Sequence, residues 1–159
     1  MIEIKNLNKI YLKGKKNMVH ALNNINLKID DRETVAIIGE SGAGKSTLLH
    51  IMSCIDNFDG EYYLDNIDIN KLSESKKSKL RSSKIGIVLQ DFALIDDFTV
   101  FENVMTPLYF NKKIKDKKGS VMRALKKTGI ASLKSKKVSQ LSGGQKQRVA
   151  ISRALVTSP

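Results

Sequence analysis

Gly39-Glu40-Ser41-Gly42-Ala43-Gly44-Lys45-Ser46-Thr47 decides the fold. The stretch matches G-x-x-x-x-G-K-[ST], the spacing of a phosphate-binding loop. Its flanks agree with that reading. Thr34-Val35-Ala36-Ile37-Ile38 has the β-branched composition of a buried parallel strand. Leu48, Ile51, Met52 and Ile55 recur at helical spacing, which predicts a helix from about Lys45.

The chemistry follows from the backbone. Gly42 and Gly44 can adopt dihedrals closed to other residues, so that successive amides turn inward around a polyphosphate. The helix N-terminus adds its positive end at the same point. Lys45 is then expected at the β- and γ-phosphates and the Ser46 hydroxyl on Mg²⁺. A ligand-free turn would account for the glycines alone. The complete motif between strand and helix favours the phosphate site.

The 159 residues are enough for one domain with a real core, and a hydrophobic content of 41% with 28% charged residues is ordinary for a globular chain. A formal charge of +12 is not. It raises nucleic acid or an anionic membrane as partners. The lysines are scattered, however, in clusters such as Lys76-Lys77, Lys112-Lys113, Lys115 to Lys118 and Lys134 to Lys137. No recognition motif accompanies them, so nucleic acid is not expected as a partner. Cys54 is the only cysteine, which excludes an internal disulfide and fits a reducing compartment. Neither a signal peptide nor an apolar run long enough to span a bilayer is present.

Residues 2–12 alternate weakly and predict a strand. Ile25, Leu27 and Ile29 predict a second, ending in a turn at Asp30-Asp31. Tyr11 is either a half-buried strand aromatic or a ring placed to stack on adenine. Glu61 to Leu64, Asp65-Asn66 and Ile67 to Ile69 read as a hairpin, and residues 73–82 as a lysine-rich helix. Ile85 to Leu89 reads as another buried strand, ending at Gln90. From Asp91 onward the texture is helix and loop. Thr99 and Glu102 form a capped helix start, with Pro107 near that helix's end. Val121, Ala124 and Leu125 mark a further helix stopped near Gly129.

Leu141-Ser142-Gly143-Gly144-Gln145 precedes a helix bearing Val149, Ile151, Ala154 and Leu155. A serine hydroxyl, two glycines and a helix N-terminus make either a well-capped helix or a second anion site. Its pairing with an upstream phosphate loop favours the anion site.

These three ordered motifs resemble those of the ATP-binding cassette family. Gly39 to Thr47 resembles its Walker A motif, Gln90 its Q-loop glutamine and Leu141 to Gln145 its signature. Tyr11 falls where the family keeps an adenine-stacking aromatic. Val88 to Ile95 with Thr99 to Val104 resembles the branch serving macrolide export, lipoprotein release and bacteriocin or antimicrobial-peptide export. Leu89 departs from that branch's usual phenylalanine.

The resemblance implies an α/β fold, a P-loop nucleotide-binding domain with antiparallel β subdomain, RecA-like core and helical subdomain. It divides the chain into 1–90 (β subdomain and N-terminal core), 91–141 (helical subdomain) and 142–159 (signature helix). It implies ATP contacts at Tyr11, Gly39, Ser41, Gly42, Ala43, Gly44, Lys45, Ser46, Thr47 and Gln90. Mg²⁺ falls to Ser46 and Gln90. Ser142, Gly143, Gly144 and Gln145 would touch ATP held by a second, head-to-tail domain. A transmembrane permease would bind through residues 90–110, at the cytoplasmic face of the membrane. The family's next strand, its Mg²⁺-linked Asp, its catalytic Glu and its switch His have no counterpart in these residues, so no catalytic residue is assigned. A chain truncated there is expected to be marginally stable and inactive as an ATPase. The alternatives are a soluble, non-transport cassette ATPase and a non-catalytic nucleotide-binding fragment.

Overall fold

The alternating apolar residues at the start of the chain form two long antiparallel strands, β1 (Ile2–Tyr11) and β2 (Val19–Ile29). β3 (Asp59–Leu64) pairs with the other edge of β1, and β4 (Ile67–Asp68) completes a sheet of order β2-β1-β3-β4. The computed structural model describes every residue except Lys112, so half of the Lys112-Lys113 pair lies outside the described residues. The chain forms two compact units, Met1–Lys77 and Ser78–Pro159.

In the first unit the predicted hairpin turns at Asp65 and Asn66, with φ of 48° and 63°. Two left-handed residues make the turn whose twist matches its strands, and Asp and Asn tolerate that conformation best after glycine. The β1–β2 ribbon carries register shifts where Asn6 and Asn24 take φ of 49° and 50°. Four asparagines stitch these bulges. The Asn8 side chain accepts from the Asn24 amide at 2.9 Å and donates to the Asn6 carbonyl at 2.7 Å. Asn26 does the converse, accepting from the Asn6 amide at 2.9 Å and donating to the Asn24 carbonyl at 3.1 Å.

Helix α1 (Lys45–Met52) starts where the glycine loop predicts. It buries Leu48 and Ile51, while Ile4, Leu7, Leu22, Tyr62 and Ile69 are buried in the same unit. The Tyr62 hydroxyl donates to the Met52 carbonyl at 2.8 Å, tying β3 to the end of α1. The predicted helical register stops short of Ile55. Cys54 turns left-handed at φ 55°, ending the helix, and Ile55 is exposed. The Cys54 thiol is buried.

The lysine-rich helix α2 (Glu74–Lys84) buries only Leu80. The second unit is built on α3 (Val100–Phe110), α4 (Lys117–Lys127) and α5 (Gly143–Leu155). Val100, Val104, Leu108, Val121, Leu125, Val138 and Val149 form its core. Thr99 caps α3 through the predicted reciprocal box with Glu102, and Pro107 lies inside that helix, in its last turn. α4 ends before Gly129, whose φ is +71°. No helix among the described residues is long and apolar enough to cross a membrane.

Two sequence expectations need correction. Residues 34–38 and 85–89 form no strand. Ile38 is 89% exposed, and Val35, Ile37 and Val88 are exposed as well. β-branched composition favours extended backbone, but a strand exists only where another backbone meets its amides and carbonyls. None of the described residues supplies that partner to either segment.

Candidate functional site

The glycine loop is shaped by close approach rather than by flexibility. Gly44, the N-cap of α1, has φ +84°, and a Cβ built there would lie 2.4 Å from the Ala21 carbonyl oxygen and 2.9 Å from Leu22 Cδ2. Strand β2 therefore runs directly against the start of α1. The Lys45 ammonium folds back over the loop, donating to the carbonyls of Gly39 at 2.8 Å and Glu40 at 2.6 Å. That closes residues 39–45 into a ring. An ammonium has three protons, so one remains for a ligand. The amides in the first turn of α1 have no acceptor within the helix, and the Ser46 side chain stands exposed beside them. Orphan amides, a cation and an exposed hydroxyl are a donor set for a polyphosphate and its hard cation. No cluster of three acidic, cysteine or histidine side chains that could hold a metal occurs among the described residues. Mg²⁺ accompanying a nucleotide needs none, because phosphate and water supply most of its ligands.

Tyr11 ends β1 and is 37% exposed. Its hydroxyl donates to Asp56 Oδ2 at 2.7 Å, and the Lys9 ammonium lies 4.8 Å from the ring centroid. Lys9 also donates to Asp56 Oδ1 and to the Asn57 carbonyl, each at 2.6 Å. Burial pushes the Asp56 carboxyl up, but the hydrogen bonds from Lys9 and Tyr11 outweigh it and leave the group below its ordinary value.

In the second unit Gln90 is exposed on a turn. The segment after it is held on several sides. The Arg153 guanidinium of α5 donates to the carbonyls of Phe92, at 2.6 Å, and Ala93, at 2.5 Å. Both residues are left-handed. Lys146 reaches Asp96 at 3.1 Å. From α3, buried Asn103 accepts from the Ile95 amide at 2.8 Å and donates to the carbonyls of Ile95 and Thr99, each at 3.0 Å.

Ser142 caps α5, accepting from the Gln145 amide at 3.4 Å, while the Gln145 side chain accepts from the Ser142 amide at 3.0 Å. Gly143 and Gly144 have nothing within 4 Å of where a Cβ would stand. They are open rather than packed. Ser142, Gly144, Gln145 and Arg148 border a pocket of about 470 Å³.

The sequence reading located the loop, Tyr11 and the capped helix. It missed Lys9, Asp56 and Arg153. Lys9 and Asp56 lie 47 residues apart and Arg153 lies 60 from Ala93, so no local pattern could pair them. The box at Ser142 and Gln145 carried a legible signal, the S-x-x-Q spacing.

A family model described as ABC transporter matches residues 22–159. The chain is a member of the ABC transporter family. It is 44% identical over 165 residues to the uncharacterized ABC transporter ATP-binding protein MJ0796 of Methanocaldococcus jannaschii, covering all of this chain and 70% of that protein. The dimeric structure of MJ0796, a bacterial ABC transporter cassette, superposes with a TM-score of 0.92 at 42% identity, covering 100% of this chain and 71% of that one. The lipoprotein-releasing system ATP-binding protein LolD of Wigglesworthia glossinidia brevipalpis is 42% identical over 161 residues, 100% of this chain and 70% of its own length. The macrolide export ATP-binding/permease protein MacB of Mannheimia succiniciproducens is 42% identical over 158 residues, 98% of this chain and 24% of its own. The fold is thus that of an ABC-type nucleotide-binding domain, and the chain is the ATP-binding part of a transport ATPase.

Proposed function

We propose that this chain is the ATP-binding subunit of an ABC exporter of peptides, lipoproteins or drugs. It would work as a head-to-tail dimer under a permease at the cytoplasmic face of the membrane. The observation that carries the reading is the ring closed by Lys45 on Gly39 and Glu40 beside the exposed Ser46 in the first turn of α1. The similarity to LolD and MacB supports the exporter branch.

Gly39, Ser41, Gly42, Ala43 and Gly44 would line the phosphates, with Lys45 as their counter-charge and Thr47 in the first helical turn; the Ala43 amide itself closes the loop on the Glu40 carbonyl at 3.2 Å. Ser46 and Gln90 would hold Mg²⁺, and Tyr11 would stack on the base. When bound, ATP with Mg²⁺ supplies a phosphoanhydride bond and the charge that draws two such domains together. Ser142, Gly143, Gly144 and Gln145 would meet the partner domain's ATP. The openness of both glycines supports this role, as does the Ser142 hydroxyl, which accepts from the Gln145 amide and keeps its own proton to donate. Residues 91–141 would act as the helical subdomain and residues 90–110 as the permease contact. Arg153 and Lys146 link the first residues of that stretch to the signature helix, a physical route between the two.

No carboxylate in these 159 residues is assigned to position the attacking water, so the chain tested alone should bind ATP without turning it over. Calorimetric titration of the purified chain with ATP, with Mg²⁺ and with EDTA, tests the reading. Binding that strengthens with Mg²⁺ and falls at least tenfold in Lys45→Ala is the expected result. Binding indifferent to Lys45 would overturn the site, and sustained phosphate release would overturn the inactivity. A flat response to duplex DNA at low salt is expected.

A further inference from the structure

The base contact proposed at Tyr11 stands on three side chains. Tyr11 is exposed at the end of a strand, where a tyrosine ring alone would be free to swing. Here its hydroxyl is fixed by Asp56 at 2.7 Å. Lys9 holds the same carboxylate at 2.6 Å and sits 4.8 Å from the ring centroid. The Lys9 side chain is 13% exposed and that of Asp56 27%, so the pair is sheltered from solvent exchange. The Asn57 carbonyl takes a further Lys9 proton at 2.6 Å.

The placement matters as much as the bonds. β1 and β2 pair Tyr11 with Val19. Two residues on, about 7 Å along the strand, Ala21 packs against Gly44 of the phosphate loop. One strand therefore borders both the ring and the loop, at a spacing suited to a nucleotide.

We propose that Lys9 and Asp56 are positioning residues for the nucleotide base, holding the Tyr11 ring with one face against the Lys9 ammonium and the other open for stacking. The proposal rests on the reading of Tyr11 as the base contact. Two physical effects follow from the geometry. The ring is ordered before the nucleotide arrives, so its rotamer freedom is not lost on binding. The cation behind the ring draws π-density toward itself, which favours stacking of an electron-rich purine on the opposite face. Neither Lys9 nor Asp56 needs to touch the nucleotide.

A plain structural tie between β1 and the segment after α1 makes a different prediction. Its loss would weaken every ligand of the unit alike. The measurement is therefore a ratio: the affinity of the chain for ATP over its affinity for inorganic triphosphate, which has no base. Tyr11→Phe removes one hydroxyl from a partly exposed ring and should leave the fold intact. Asp56→Asn removes the charge that holds both neighbours. Each should lower the ATP-to-triphosphate ratio three- to tenfold with triphosphate affinity unchanged. The double variant should be no worse than the poorer single one, because both break the same link.

If Tyr11→Ala collapses the ratio while Tyr11→Phe and Asp56→Asn keep the wild-type value, the positioning role is wrong and the base contact stands. If Tyr11→Ala itself leaves the ratio unchanged, the base is held elsewhere and both ideas fall. Should Asp56→Asn fail to fold, the Tyr11→Phe ratio alone decides. A wild-type chain that binds neither ligand would refute the nucleotide site and this proposal together.

Discussion

Alanine at Gly44 and at Gly42 should have unequal effects. Both glycines are left-handed, at φ +84° and +86°. Placing an L-residue there costs about 1–2 kcal/mol at either position. The surroundings differ. A Cβ at Gly42 meets nothing within 4 Å, whereas at Gly44 it would stand 2.4 Å from the Ala21 carbonyl oxygen and 2.9 Å from Leu22 Cδ2. The oxygen is backbone in β2 and cannot rotate away. The strand or the helix start must move, at roughly 1–3 kcal/mol by analogy with overpacked cores. Gly42→Ala should therefore lose about 1–2 kcal/mol of stability and Gly44→Ala about 2–5 kcal/mol. Urea unfolding followed by tyrosine emission suits the comparison, since Tyr62 is buried in the same unit and the chain has no tryptophan. Equal losses in the two variants would show that backbone strain alone, and not the approach of β2 to the loop, governs Gly44.

Further outcomes follow from single contacts. Asn103→Ala should destabilise the second unit by about 1–2 kcal/mol, because it removes the side-chain partner of the Ile95 amide and of the Ile95 and Thr99 carbonyls; urea unfolding measures the loss, and amide exchange at residues 95–99 should quicken. Thr99→Ala and Ser142→Ala each remove a helix N-cap, worth about 1 kcal/mol. Only Ser142→Ala should also weaken ATP-dependent dimerisation, read by gel filtration with and without ATP. Glu102 is held below its ordinary carboxyl value of 4.5 by the Thr99 amide and hydroxyl, and Asp56 below 3.8. A depressed carboxylate contributes stability above its unfolded pKa and loses it as pH falls through the folded value. Unfolding midpoints should accordingly drop as pH falls below about 4.5, and Glu102→Gln should make that slope shallower.

Legibility in the sequence followed the range of the interaction. The glycine loop before α1, the Asp65-Asn66 turn and the Thr99-Glu102 box are set by residues within a few positions of one another, and the local structure of all three could be read directly. The same local logic found the helix at Lys45 but overran it to Ile55, because apolar spacing does not register a left-handed residue such as Cys54. Residues 34–38 and 85–89 show the opposite limit. Their composition specifies an extended, apolar backbone but says nothing of which backbone pairs with it. The tethering of Tyr11 by Asp56 and of Phe92 by Arg153 was invisible for a related reason. An aspartate or arginine acquires its meaning only from what the fold brings beside it.

The four stitched asparagines bear on where this protein can be edited. Asn6, Asn8, Asn24 and Asn26 fix β1 against β2 below the Tyr11–Val19 pair, so sliding one strand along the other would break both side-chain bonds that cross between them, Asn8 to the Asn24 amide and Asn26 to the Asn6 amide. Residues 12–18, which join the two strands, lie beyond that clamp and are exposed throughout. Extra length inserted there would be taken up as slack, with the spacing between the aromatic ring and the phosphate loop unchanged. The join is thus a natural port for a fluorophore, an epitope or new chain termini, whereas a single residue added between Asn6 and Lys9 would throw the ribbon out of step.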